Sequence, residues 1–163
     1  MNILDFAAKA SYLGSAGLLF LETGALIGMV IPGGDSLVLA LGVLAAMGHL
    51  KFGLLWLLLI MATTLGQWAG YYWGHRSGGS LLRRVDKDKL SKARYFLKRY
   101  GSFAFLLSPF LPVVRTLMPF LAGAGGVPAG RYALWSAVAA ALWITSTLSV
   151  GYFATNWALI LLH

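Results

Sequence analysis

The chain has 163 residues, 59% hydrophobic and only 11% charged. Soluble domains average about 25% charged residues, so the balance argues against a water-soluble fold and for one integral membrane domain. Its formal charge of +8 is confined enough to argue against a nucleic-acid partner, and the absence of cysteine excludes disulfides and thiolate chemistry.

Residues 1–11 read as a short interfacial helix, with Ile3, Leu4, Phe6 and Ala7 on one side. They lack the basic start and small-residue cleavage site of a removed signal peptide. Residues 12–31 are apolar apart from Glu22 and long enough to span a bilayer. Pro32-Gly33-Gly34 then breaks the path. Residues 36–47 add only about twelve apolar positions, too few to cross a core about 30 Å thick. The economical reading is a re-entrant hairpin over about 12–48, followed by a spanning helix over about 52–73 with aromatic residues near its end.

Nine of the thirteen lysines and arginines fall between positions 76 and 99. This is the positive-inside pattern, which places segment 75–100 in the cytoplasm. Gly78-Gly79 marks a hinge. Beyond it Leu90, Ala93, Leu97 and Tyr100 recur at helical spacing with Phe96 beside them. They predict a basic amphipathic helix on the cytoplasmic face, in reach of anionic headgroups. The plainer alternative is a solvated helix with only a topological role.

An apolar stretch over about 102–127 is interrupted by Pro109, Pro112 and Pro119 and carries Arg115 at its middle. No straight helix accommodates that spacing easily. Such backbone survives at membrane depth only when buried in protein or lining a wet cavity. A second re-entrant hairpin is expected there. Residues 132–162 close the chain as one long helix, or as two with a break near Ser146, Ser149 and Gly151. Two broken stretches, each followed by a spanning helix, form a loose internal symmetry of the kind that brackets transporter sites.

Glu22, Asp35 and Arg115 each cost about 2.5–3.5 kcal/mol at the bilayer centre. They are expected to share a polar site. Arginine stays charged and suits phosphate or carboxylate; a carboxyl removed from water takes up a proton more readily. Arg115 would therefore bind an anion, with Glu22 and Asp35 serving protons or Arg115 itself. The alternative is a structural salt bridge that locks the two hairpins together. Gln67 either faces the same cavity or hydrogen-bonds within the bundle. His49 and His75 have no acidic or His partner at helical spacing, so no metal or cofactor is expected. Gly66, Gly70 and Gly74 form a face for close helix packing.

Three blocks of residues resemble the DedA family of bacterial membrane proteins. The first is Glu22-Thr23-Gly24 with Pro32-Gly33-Gly34-Asp35-Ser36 and Gly42. The second runs from Gly66-Gln67 through Gly70-Tyr71 to Gly74-His75-Arg76-Ser77-Gly78-Gly79. The third is Tyr100-Gly101, Phe110-Leu111-Pro112-Val113-Val114-Arg115-Thr116, Pro119-Phe120 and Ala122-Gly123, with Trp143 and Gly151-Tyr152 in the closing helix. The resemblance implies an all-α inner-membrane fold with two re-entrant hairpins facing each other as a pseudo-inverted repeat. By motif position it implies that Glu22, Asp35 and Arg115 are functional. The expected site has Arg115, Ser36, Pro112 and Thr116 binding substrate and Glu22 and Asp35 coupling protons, with Gln67 and Arg76 as secondary positions. Pro109 stands where the family often has Arg, and Gln67 where it often has an acid.

The expected function is translocation of an anionic polyprenyl phosphate, such as undecaprenyl phosphate, between leaflets with proton coupling and no enzymatic step. The expected partners are the phospholipid bilayer, that lipid and protons; homo-oligomerisation is left open. Rival readings are a proton-coupled small-ion or drug carrier, a lipid pyrophosphatase using Ser36, and a non-transporting scaffold. No Arg adjoins Ser36 and no nearby His could act as its base.

Overall fold

The computed structural model describes residues 3–24, 33–77, 80, 83 and 86–161, with the side chains of 3–9 and 159 excepted. Seven α-helices account for nearly all of them: α1 Ile3–Gly24, α2 Gly34–Ala46, α3 Phe52–Ser77, α4 Lys87–Tyr100, α5 Phe103–Leu107, α6 Pro112–Ala124 and α7 Ala129–Leu161. Two are long and apolar enough to cross a membrane, Phe52–Ser77 and Ala129–Ala158.

The short interfacial helix expected over 1–11 does not stand alone. It continues into the following apolar run as one 22-residue helix. Gly14 and Gly17 lie on its open side, and each costs a helix only about 1 kcal/mol. The later part of the predicted span, with Pro32 and residues 25–31, falls outside the described residues, as does the Gly78-Gly79 hinge. Helix α2 has 13 residues, about 20 Å of length, short of a bilayer core.

The second broken stretch resolves into α5, a 3-10 turn Ser108–Phe110, and α6. Leu111 between them is extended, with φ −119 and ψ 100, as expected for a residue that precedes proline. Pro112 then opens α6 at the one position where its missing N–H is harmless. Against expectation, α6 runs on through Pro119. The proline cannot donate to the Arg115 carbonyl, but the helix is held from outside. Residues 114–123 are all buried, and the Pro119 ring sits against Gly70, where any Cβ would crowd it. Helix α7 is a single 33-residue helix, with no break at Ser146, Ser149 or Gly151. Ser146 donates back to the Trp143 carbonyl within the helix, and Gly151 has a different task.

Gly151 lies at a crossing. A Cβ there would run into the Leu39 carbonyl of α2, and one on Gly42 would run into the Leu148 carbonyl of α7. The α3 glycines behave in the same way. Gly66 faces Phe20 and Thr23 of α1; Gly74 faces the Phe120 backbone of α6, and Gly123 answers it against Tyr71. Small residues let backbones approach this closely. The expected Gly66, Gly70 and Gly74 face is thus the seam between α3 and its two neighbours.

One apolar core joins α1, α2, α3 and α7 through Leu19, Val38, Leu55, Leu59, Ile144 and Leu148. Helix α4 is capped by Asp86, whose carboxylate accepts from the Asp88 and Lys89 amides at 2.8 and 3.3 Å. It ends at Gly101, where φ is +56. Leu90 and Ala93 are buried against Leu117, Phe120 and Leu121 of α6, while Tyr100 is exposed. The apolar stripe of α4 is therefore seated on protein. Elsewhere Leu13, Leu18, Leu57, Met61, Leu65, Val150, Phe153 and Trp157 stand exposed on α1, α3 and α7. Apolar faces of that extent suit contact with lipid.

Candidate functional site

Arg115 is the fourth residue of α6 and only 3% exposed. The extended Leu111 and the Pro112 start fix the angle at which that first turn enters the bundle. The Arg115 guanidinium donates from Nη2 to Glu22 Oε1 at 2.7 Å and from Nη1 to Asp35 Oδ1 at 3.1 Å. Glu22 comes from the last turn of α1 and Asp35 from the first turn of α2. Three distant segments thus meet at one cation. Such a pair is held only when its geometry is good and its remaining polar atoms are matched.

Trp143 of α7 adds two contacts to the cluster. Its indole N–H donates to Asp35 Oδ1 at 3.0 Å. Its ring lies under the guanidinium, 4.4 Å from Cζ, a favourable cation–π arrangement. Gly34 makes room for Glu22: a Cβ at that position would collide with the carboxylate. The carboxylate therefore lies at the N-terminus of α2, where the helix dipole favours negative charge. The two acids differ in access. The Glu22 side chain is 10% exposed and that of Asp35 47%. With one cation and two carboxylates the cluster carries a formal charge of −1.

The other expected site residues are placed less centrally. Thr116 is fully buried and its hydroxyl turns back to the Pro112 and Val113 carbonyls. Pro112 and Ser36 are exposed at the starts of α6 and α2. Arg76 is exposed near the end of α3 and joins neither the acids nor Arg115. Gln67 is buried and lines a cavity of about 10 Å³ beside Arg115, together with Ser108, Tyr132 and Ser136. That is room for about one water.

Trp143 entered the sequence reading only as part of the closing helix, and Ser108, Tyr132 and Ser136 not at all. One signal was there. Trp143 stands near the middle of a long apolar helix, away from the ends where interfacial tryptophans gather. Tyr132 and the two serines offer no spacing that marks them.

Residues 31–153 match the VTT domain model. The chain is 33% identical over 160 residues to the inner membrane protein YghB of Escherichia coli K12, covering 91% of this chain and 73% of that protein. It is 32% identical over 140 residues to the inner membrane protein YqjA, covering 83% of this chain and 63% of that one. To protein DedA, also from Escherichia coli K12, it is 30% identical over 143 residues, covering 83% and 65%. It thus spans under two thirds of the latter two relatives. No solved structure matches the chain. With a matched domain over most of its length and relatives at 30% identity or more, this chain is a membrane protein of the DedA family.

Proposed function

We propose that this protein moves an anionic lipid, a polyprenyl phosphate such as undecaprenyl phosphate, between leaflets of the bacterial inner membrane, with protons coupled to the step. The observation that carries the reading is Arg115, buried and bridged to Glu22 and Asp35 by two interrupted stretches of chain. Dragging a phosphate through hydrocarbon is prohibitive; a cation held in a polar site removes most of that cost.

The charge of the cluster sets the coupling. With both acids ionised the site is formally −1 and repels an anion. A proton on each carboxylate makes it +1 and frees the guanidinium fork for phosphate. Protons and headgroup would then bind together and leave together. Asp35 is the acid half open to solvent and Glu22 the enclosed one. The two broken stretches act as re-entrant hairpins that hold these groups at mid-depth, and the lipid tail stays in the bilayer. Basic segment 75–100 faces the cytoplasm. No bond of the substrate is made or broken, so the protein is not an enzyme.

The test is flux in proteoliposomes. Polyprenyl phosphate should cross in the presence of wild-type protein and stop with Arg115→Ala, Glu22→Gln or Asp35→Asn. Full flux by folded Arg115→Ala would end the proposal. Movement of small ions or drugs without lipid would favour the solute-carrier reading. Phosphate release from a polyprenyl pyrophosphate would favour the enzyme, and no transport at all the scaffold.

One observation favours a second reading. Both ends of the Arg115 fork are already engaged, as in a static lock between α6 and the α1–α2 pair. Under that reading, charge-preserving changes that keep the fold would leave flux unaltered.

A further inference from the structure

Arg115 has an edge that the carboxylates do not use. Its Nε is buried and has no hydrogen-bond partner. Arg115 also forms part of the wall of the cavity between α3, α5, α6 and α7, which neither Glu22 nor Asp35 lines. The polar wall is completed by Gln67, Ser108, Tyr132 and Ser136, all at least nine-tenths buried. The two serines are spent locally, donating to Phe105 O at 2.9 Å and Ala133 O at 3.1 Å. The Gln67 amide and the Tyr132 hydroxyl make no side-chain hydrogen bond among the described residues. A buried polar atom without a partner is rare; Arg115 Nε is one, and the Gln67 amide and Tyr132 hydroxyl beside it are free to join it on a ligand.

The chemistry of that ligand follows from the donors. Arg115, Tyr132 and Gln67, which carry a guanidinium N–H, a phenol O–H and an amide NH₂, line a space sized for one oxygen atom. Only one of the three is charged, and it is positive. The two serine oxygens keep lone pairs that can accept from a protonated oxygen or from water.

We propose that this cavity is an oxyanion seat: it takes one oxygen of a phosphate monoester on Arg115 Nε, Tyr132 Oη and the Gln67 amide, and a water in its absence. The proposal rests on the transport reading above and supplies the substrate contacts that reading lacks. A whole phosphate does not fit, so the rest of the headgroup stays at the open side of the cavity. The anion thereby has a contact on the Nε edge of Arg115 in addition to the Nη groups that the protonated acids release.

The experiment is binding of dodecyl phosphate to the purified full chain in neutral detergent, followed by calorimetry, with dodecyl maltoside as the uncharged control. Tyr132→Phe removes one hydroxyl and keeps the ring against Tyr71 and Phe105, 4.9 and 5.4 Å away between centroids. Gln67→Leu removes the amide. Each should weaken dodecyl phosphate binding about 10-fold or more, the value of a hydrogen bond to a charged group, with the unfolding temperature unchanged for Tyr132→Phe. Wild-type affinity in Tyr132→Phe, or no binding by the wild-type chain, overturns the seat. Arg115-dependent lipid flux alongside wild-type binding in Tyr132→Phe would sink the seat and leave the transport reading standing. Tyr132-dependent binding without lipid flux would do the reverse. Should Gln67→Leu fail to fold, Tyr132→Phe alone decides.

Discussion

Glu22 and Arg115 lie 93 positions apart in the chain and 2.7 Å apart in space. The pair is almost sealed from solvent, whereas Asp35 on the same guanidinium is half open. The two acids should therefore differ in what their loss costs. Glu22→Gln leaves a buried cation short of a partner, at about 3–5 kcal/mol. Asp35→Asn changes the partner that is half open to water, so its loss should cost less than that of Glu22, and Asn can still accept from Trp143. Denaturant titration in detergent should rank Glu22→Gln well below Asp35→Asn; equal stabilities would show that burial does not govern this cluster.

Arg115→Lys keeps the charge and loses the fork. One ammonium does not reproduce two Nη groups aimed at carboxylates from different helices. The variant should fold, with a lower unfolding temperature, and lose most lipid flux. Flux within twofold of wild type would mean that a point charge suffices there.

Gly34→Ala should push the Glu22 carboxylate away from Arg115, because the added methyl occupies the carboxylate's place. In an open helix this change would stabilise by up to about 1 kcal/mol. Here the expected sign is reversed, with a loss of about 1–3 kcal/mol from overpacking and a damaged ion pair. A more stable Gly34→Ala protein would contradict the described fit.

Gly42→Val and Gly151→Val should each separate α2 from α7, since both added side chains meet backbone that cannot swing aside. Each should cost more than about 2 kcal/mol and weaken the Asp35–Trp143 hydrogen bond. Trp143 fluorescence, read on a protein whose other tryptophans are replaced, provides the measurement; an unchanged spectrum would count against the coupling.

Ala93→Glu should dislodge α4 from α6, because Ala93 is fully buried against that helix. A cysteine introduced at position 121 should then label readily, whereas it is shielded in the parent. Equal labelling would show that α4 is not seated there.

Charge and breakers were what the sequence displayed best. Glu22, Asp35 and Arg115 stood out because ionised groups are rare in apolar tracts, and they do converge. Gly66, Gly70 and Gly74 were legible because a four-residue spacing marks one helix face. Less could be read where tertiary contacts override local rules. Pro119 looked like an interruption, yet packing on Gly70 carries α6 through it. Gly151 looked like a break and is a crossing point. The stripe on α4 marked an amphipathic helix but not its cover, which is α6. Periodicity shows that a face is apolar without showing what lies on it. Tyr132 and Ser136 carried no signal, since their place beside Arg115 depends on how α7 crosses α3 and α6.

The bare crossings at Gly42 and Gly151 and along α3 bear on how such a protein can change over time. Where two rods meet through their peptide planes, the contact surface is the same polymer whatever hangs beside it. Flanking aliphatics can be exchanged for one another without shifting the axes. A handful of hydrogen-for-side-chain positions thereby fixes the scaffold, and most of the remaining apolar alphabet is free to drift.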